Sequence, residues 1–159
     1  MDTSWLWLFE WCEATTLGHA IRGSSWLFPV IEAVHLLALS VLGGAVLVVD
    51  LRLLGLGLKG QSPSQLWRAA RPWMIGALAV MIATGVPLFL SEPIKLYYSD
   101  SFWVKITTLP IAIAFAFTIR SRTTQDIVRN TARRQMLVGA LSIALWVVVA
   151  AAGRWIGFS

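Results

Sequence analysis

Charged residues and cysteines are scarce in this sequence. Of its 159 residues only 13% are charged, against about 25% in an ordinary soluble domain, while 57% are apolar. The single cysteine, Cys12, excludes an internal disulfide and any CxxC site. With a mean hydropathy of +0.72, the composition argues against a soluble domain and favours a compact bundle of transmembrane helices.

The motifs of several enzyme classes are also missing from the sequence. It has no glycine-rich phosphate loop following a strand, no HExxH pair and no convincing set of zinc ligands. The net charge of +5 would suit a nucleic-acid partner, but nine of the thirteen basic residues flank or lie in two short loops between apolar segments. That distribution is typical of cytoplasmic loops in membrane proteins, so nucleic acid is excluded as a partner and the lipid bilayer is expected.

Four apolar segments predict membrane spans, at about residues 26–56, 72–90, 102–119 and 135–155. We therefore expect an all-α protein: a four-transmembrane-helix bundle forming one domain over residues 24–159. Residues 1–23 are rich in tryptophan and too interrupted by acids to span, which favours a short interfacial amphipathic helix. Pro72 is expected to start the second span, and Pro87 to kink it.

The positions of the basic residues predict how the chain crosses the membrane. Arg52 and the loops around residues 56–71 and 120–134 should be cytoplasmic. Both termini then lie outside, in the periplasm if the membrane is a bacterial inner membrane. The N-terminus is not typical of a signal peptide, since it lacks a basic segment and carries acids.

Two ionisable side chains lie in the outer half of the first span. Glu32 and His35 are three residues apart and share a helix face, and placing such groups at membrane depth is costly enough to mark a site. Lys105 lies about one turn inside the third span, on the same side of the membrane. Glu32 is equally suited to a chemical role and to an ion pair with Lys105 or with Arg154, which ends the fourth span.

Each of these residues has a structural interpretation beside the functional one. His35 suits an axial ligand of haem iron or a titrating group, but also a polar contact to a neighbouring helix. Lys105 suits a charge partner, or a side chain that extends to the interface. Arg154 and Lys95 could pair with haem propionates, or could simply be cations at the membrane interface. His19 could be a second ligand, or an exposed residue without a role in binding.

Four motifs carry a family resemblance over nearly the whole chain: WLFPVIEAVHL at 26–36, DLRLLG at 50–55, SEPIK at 91–95 and AGRWIG at 152–157. They resemble those of a bacterial family of small membrane proteins of unknown function. More distantly, the pattern is similar to the four-helix group that contains the HemJ protoporphyrinogen oxidases and the CopD copper-resistance proteins. The shared features are an early histidine in the first span, glycines some two turns later, and a basic residue at its inner end.

The HemJ resemblance implies a haem site. The WVK element ending at Lys105 is similar to HemJ's aromatic-x-x-Lys element, and the histidine and lysine of that family are implicated in haem b binding. The resemblance therefore points to His35 and Lys105. The N-terminal helix, the loop from Glu92 to Lys95 and the scarcity of methionine and histidine depart from the group.

The leading hypothesis is an inner-membrane protein that binds haem b or a porphyrin through His35, for electron transfer or porphyrin oxidation near the outer face. Lys105 or His19 would be the second ligand or a charge partner. One alternative is transport or sensing of a metal ion or proton through Glu32, His35 and Met81. Another is a non-catalytic membrane subunit that docks a partner. A redox partner, another membrane protein and a second copy of the chain are all compatible with the sequence.

Overall fold

The computed structural model describes residues 5–58, 60–126 and 130–158, and these ranges are helical with no strand, which confirms the all-α prediction. Four helical segments are long and apolar enough to cross a membrane. The helices are α1 (Leu6–Glu13), α2 (Thr16–Gly23), α3 (Leu27–Leu53), α4 (Pro63–Ser91), α5 (Pro93–Tyr97), α6 (Asp100–Phe115), α7 (Ser121–Gln125) and α8 (Ala132–Trp155). A π-helical segment, Ala116–Arg120, joins α6 to α7, so that Asp100–Gln125 is one continuous span.

The N-terminal region folds as two short helices, where the sequence predicted one. The chain turns at Ala14, and Thr15 caps α2 by accepting a hydrogen bond from the Gly18 amide at 3.2 Å. Arg22 then joins this pair of helices to the bundle, since its Nη1 donates to the Ser91 carbonyl at 2.9 Å. The Glu13 carboxylate accepts from the amide of Ile94 at 3.3 Å, which fixes the pair to α5 as well.

The second spanning helix begins at Pro63, well before Pro72, so the predicted start was wrong. Ser62 and Gln65 form a capping box, in which each side chain accepts from the other's backbone amide. Pro72 and Pro87 both lie inside α4. A proline interior to a helix removes a backbone donor but need not end the helix when neighbouring packing holds it.

The third spanning helix also runs past its predicted end at Ile119. The basic loop expected from Arg120 onward instead begins with the π-helical segment and α7, which reach Gln125. Arg120 has no exposed surface, so this arginine is part of the bundle interior. The sequence-based prediction placed Arg120 among the arginines of a cytoplasmic loop, and for this residue it was wrong.

The long helices pack as two pairs, α3 with α4 and α6 with α8, and α3 also contacts α8. We call the end of the bundle that carries α1, α2 and α5 the aromatic end, and the opposite end, with the loops before α4 and α8, the arginine end. The central core is apolar and lies toward the arginine end. Its buried members are Leu42, Val46, Trp67, Met74, Ala77, Leu78 and Ala116.

A second apolar cluster closes the aromatic end. Phe9 of α1 lies at its centre, with ring centroids 5.1 Å from Tyr97, 5.5 Å from Phe89 and 6.1 Å from Phe102. All three rings meet Phe9 edge to face, the arrangement that aromatic quadrupoles favour. The N-terminal helices are thereby packed onto the bundle through a shared core.

Candidate functional site

His35 lies on α3 and is half-buried against α4. Its Nδ1 is 2.8 Å from the Thr84 hydroxyl, which itself donates to the Val80 carbonyl at 2.7 Å. Because the single hydroxyl proton of Thr84 is used by Val80, we assign the proton of the imidazole to Nδ1, which donates to Thr84. Nε2 then carries the free lone pair, the form of histidine that binds metals.

Lys105 comes to the same level of the bundle from the other helix pair. Its side chain lies along Gly153 of α8, where an added Cβ would be 3.4 Å from Nζ. The ammonium is close enough to act electrostatically on the His35 ring. Each helix pair thus contributes one polar side chain. His35, on α3, comes from the α3–α4 pair, and Lys105, on α6, comes from the α6–α8 pair.

The two residues occupy a layer between the central core and the aromatic cluster. Met81, one turn from Thr84, packs on the core, and Phe89, just over a turn farther along α4, belongs to the aromatic cluster. Within this layer His35, Thr84 and Lys105 remain partly accessible although the layers on both sides are buried. These three side chains are therefore reachable from outside the bundle at this level.

Glu32 and Lys95 lie apart from this pair. Glu32 is exposed on α3, and in the described ranges it forms no ion pair with Lys105 or Arg154. Lys95 is exposed and forms a surface ion pair with Glu92 at 3.6 Å. Exposed pairs of this kind are worth about 0–1 kcal/mol, so this one contributes little to the fold.

Arg154 and His19 are likewise exposed at the aromatic end. The Arg154 guanidinium lies 4.5 Å from the centroid of the Phe158 ring. His19 is on α2, where its Nδ1 is 3.5 Å from Arg22 Nη2, in a surface groove that Glu10 and Glu13 also line. Of the predicted site residues, the structure leaves His35 and Lys105 partly buried between the helices, in contact with Thr84 and with Gly153 respectively, and leaves the other four exposed.

A second polar site, at the arginine end, escaped the sequence analysis. Arg120 Nε and Asp50 Oδ1 are 2.6 Å apart, and both side chains are fully buried. Arg120 also donates to the Val46 carbonyl at 3.3 Å and contacts the Met74 sulfur at 3.6 Å, while its guanidinium carbon lies 5.2 Å from the Trp67 ring centroid. The sequence did contain a signal for this site. Asp50 and Arg120 carry opposite charges, and each ends an apolar run at the same side of the membrane.

The close approach of α8 completes this second site. Gly139 packs directly on α3, since a Cβ there would lie 3.0 Å from both the Asp50 carbonyl oxygen and Leu53 Cβ. Ser142, one turn further along α8, is fully buried beside the Asp50 carboxylate. Small residues at such contacts allow membrane helices to approach closely.

The fold and the buried polar residues define a multi-pass, four-helix integral membrane protein. A model of DUF6644, described as a family of unknown function, matches residues 8–159, and the chain belongs to that family. No curated protein and no solved structure matches the chain.

Proposed function

We propose that this protein binds haem b or a related porphyrin, with His35 as an axial ligand and Lys105 as the charge partner or second ligand. Its role would be electron transfer or porphyrin oxidation. The observation that carries the proposal is the Thr84 hydrogen bond, which leaves Nε2 of a membrane-embedded histidine available to a metal.

The donor set fits a haem in several respects. Haem-ligating histidines commonly donate their second nitrogen to a protein acceptor, which fixes the ring and raises its basicity; Thr84 provides that acceptor here. Haem supplies a one-electron iron couple when bound, and an imidazole in the core of a helix bundle is a standard ligand for it. Lys105 can compensate negative charge beside His35.

The partly accessible layer supports the same assignment. A flat macrocycle must reach its ligand, and His35 and Lys105 are both partly accessible between the central core and the aromatic cluster. Exposed Arg154 and Lys95 lie at the nearby end, where cations suit propionate groups.

We further propose a bacterial inner-membrane location with the aromatic end outward. Exposed arginines cluster at the opposite end, and include Arg68, Arg71, Arg122, Arg133 and Arg134. By the positive-inside tendency this end faces the cytoplasm, which puts both termini in the periplasm and the His35 layer near the outer face.

The test is an absorption spectrum of the full-length protein in mild detergent, recorded oxidised and then reduced with dithionite. We expect a Soret band and resolved reduced bands in the wild type, either as purified or after adding haemin. Loss of these bands in His35→Ala, with retention in His19→Ala, is the expected result. The second variant is the matched control because His19 is exposed and contacts Arg22 instead.

The hydrogen bond between His35 and Thr84 has its own test. Thr84→Val removes the acceptor at nearly constant volume and should weaken haemin binding by about 10-fold or more, as loss of such partners does at other metal sites. Thr107→Val is the control, since Thr107 is exposed and donates to the Trp103 carbonyl. The proposal would be refuted by a folded wild type whose spectrum with added haemin equals that of haemin in the same detergent alone, or by a His35→Ala protein with an unchanged protein-bound Soret band.

A second candidate is a membrane subunit that docks a partner through α1. Trp7 and Trp11 lie one turn apart on α1 and are 63% and 66% exposed. Tryptophan is enriched both at membrane interfaces and in protein interfaces, so these rings suit either neighbour. Crosslinking from residue 7 or 11 to a defined membrane protein, rather than to lipid, would favour this function.

A further inference from the structure

The outer face of α4 is cationic at the arginine end and apolar beyond it. Arg68 and Arg71 are both exposed, and residues three apart on a helix lie on one face. Ile75 and Ile82 follow them at helical spacing on the same face and are 48% and 60% exposed. The face therefore changes from cationic to apolar within about one helix turn.

Neither of the two arginines is neutralised by an acid in the described part of the chain. Arg68 and Arg71 take part in none of the ion pairs found there. Of the acids described at this end, Asp50 is buried and paired with Arg120, and Asp126 is exposed beyond the end of α7. Two neighbouring guanidinium groups without a carboxylate partner form a site that favours an anion.

We propose that this face of α4 binds an anionic phospholipid, whose phosphate pairs with Arg68 and Arg71. One of its acyl chains lies along the apolar part of the face, over Ile75 and Ile82. Guanidinium groups bind phosphate oxygens through paired hydrogen bonds, which gives the contact a defined geometry. The proposal concerns the arginine end of the bundle and does not depend on the proposed haem site.

The length of the apolar part of the face matches one leaflet. Ile82 lies about 16 Å from Arg71 along the helix axis at ~1.5 Å per residue. One leaflet of a hydrocarbon core of ~30 Å is about 15 Å deep. A lipid whose phosphate is at Arg71 therefore reaches the level of Ile82 with the end of its acyl chain.

Pro72 favours a headgroup that carries hydroxyl groups. It is exposed on the same face, and it has no amide proton to donate to the carbonyl of Arg68 four residues earlier. The usual helical donor to this carbonyl is therefore missing, and a hydroxyl of a glycerol headgroup can donate in its place. The ammonium group of a zwitterionic lipid would be repelled by the two arginines, so we expect phosphatidylglycerol to bind in preference to phosphatidylcholine.

A second copy of the chain is the other candidate for covering this face. In a two-fold symmetric dimer the same face of both copies meets, which would bring the Arg68–Arg71 pair of one copy against that of the other. Like charges at close range repel each other, so the arginines disfavour this contact and favour an anionic lipid.

Native mass spectrometry of the full-length protein, released from detergent micelles with added lipid, tests the proposal. The apparent Kd of the first bound lipid is measured for dioleoyl phosphatidylglycerol and, separately, for dioleoyl phosphatidylcholine. The two lipids have the same acyl chains, so the comparison isolates the headgroup. We expect the wild type to bind phosphatidylglycerol several-fold more tightly.

Two double variants separate a defined site from diffuse attraction. Arg68→Gln/Arg71→Gln should raise the apparent Kd for phosphatidylglycerol by about 10-fold or more. Arg133→Gln/Arg134→Gln is the matched control, because it removes the same charge from exposed positions at the same end. Adjacent residues on a helix do not share a face, so this control should raise the Kd by less than about 3-fold. All four side chains are exposed, and circular dichroism checks that both variants fold.

Three outcomes would overturn the proposal. The first is a wild type that binds phosphatidylcholine as tightly as phosphatidylglycerol. The second is an equal loss of phosphatidylglycerol binding in the two double variants, which would show diffuse attraction to the whole arginine end. The third is a homodimer in the lipid-free spectra that Ile75→Trp abolishes, which would show that a second copy covers this face.

Discussion

The strongest energetic prediction concerns the Asp50–Arg120 pair. At 2.6 Å and an effective dielectric constant of ~20, the Coulomb attraction is about 6 kcal/mol, from which the desolvation of two buried charges must be subtracted. Removing one partner of a buried pair costs about 3–5 kcal/mol, because the remaining charge is left unpaired. Asp50→Leu and Arg120→Met should therefore each lower the free energy of unfolding by roughly that amount.

The double variant separates the interaction from the two deletions. Replacing both partners by apolar residues of similar volume is often neutral, so Asp50→Leu/Arg120→Met should recover most of the lost stability. Unfolded chains in detergent or lipid also find polar partners, which lowers measured values. Because the two single losses are about 3–5 kcal/mol each and the double variant loses little, we expect a coupling energy of about 5 kcal/mol or more from the cycle.

The assay is reversible unfolding in mixed micelles of dodecyl maltoside and SDS, followed by far-UV circular dichroism. The Glu92–Lys95 pair is the matched control: its atoms are 3.6 Å apart and both side chains are 45% exposed, so its coupling should be about 0.5 kcal/mol or less. A coupling energy below about 1 kcal/mol for Asp50 and Arg120 would refute the view that this buried contact holds α3 to the third span.

Three further predictions follow from the packing. Gly139→Ala should destabilise the protein by about 1–3 kcal/mol in the same assay, because the new Cβ would lie 3.0 Å from backbone and side-chain atoms of α3. Gly76→Ala is the control, since its new Cβ meets no atom within 4 Å and the change should be neutral or slightly stabilising. Phe9→Ala should remove the centre of the aromatic cluster and raise the rate of proteolytic cleavage at the N-terminal helices. Trp11→Ala is the control: this residue is 66% exposed, so its removal should leave the cleavage rate unchanged. Gly18→Leu should release α2 from α4, because Gly18 packs directly on the Leu90 carbonyl, and the measurement is increased hydrogen exchange of the α2 amides.

The membrane spans could be predicted from the sequence because each depends on a local apolar run. Length and hydropathy are sufficient for that, since the hydrocarbon core sets a minimum length. Helix ends are less accessible to such reasoning. Pro72 suggested a start, but the capping box of Ser62 and Gln65 lies earlier, in a stretch whose polar residues read as a loop.

The candidate sites divide in the same way. His35 and Lys105 could be found because each is an isolated ionisable residue within an apolar run, which is rare without a function. Arg120 was missed, because it directly follows such a run and is succeeded by further arginines. Its opposite charge to Asp50 was visible, but its burial depends on the π-helical segment and on the packing of a distant helix. Which of several adjacent charges turns inward is a tertiary property.

The attachment of the N-terminal helices has a consequence for biogenesis. The partners of Glu13 and Arg22 are the Ile94 amide and the Ser91 carbonyl, which are synthesised only after the first two spans. Contacts between residues so distant in sequence form late, after the intervening chain is in place. These two helices therefore reach their final position only after the chain up to α5 has followed them, and until then Phe9 lacks its ring partners Phe89, Tyr97 and Phe102. During this interval membrane insertion factors or lipid must shield α1.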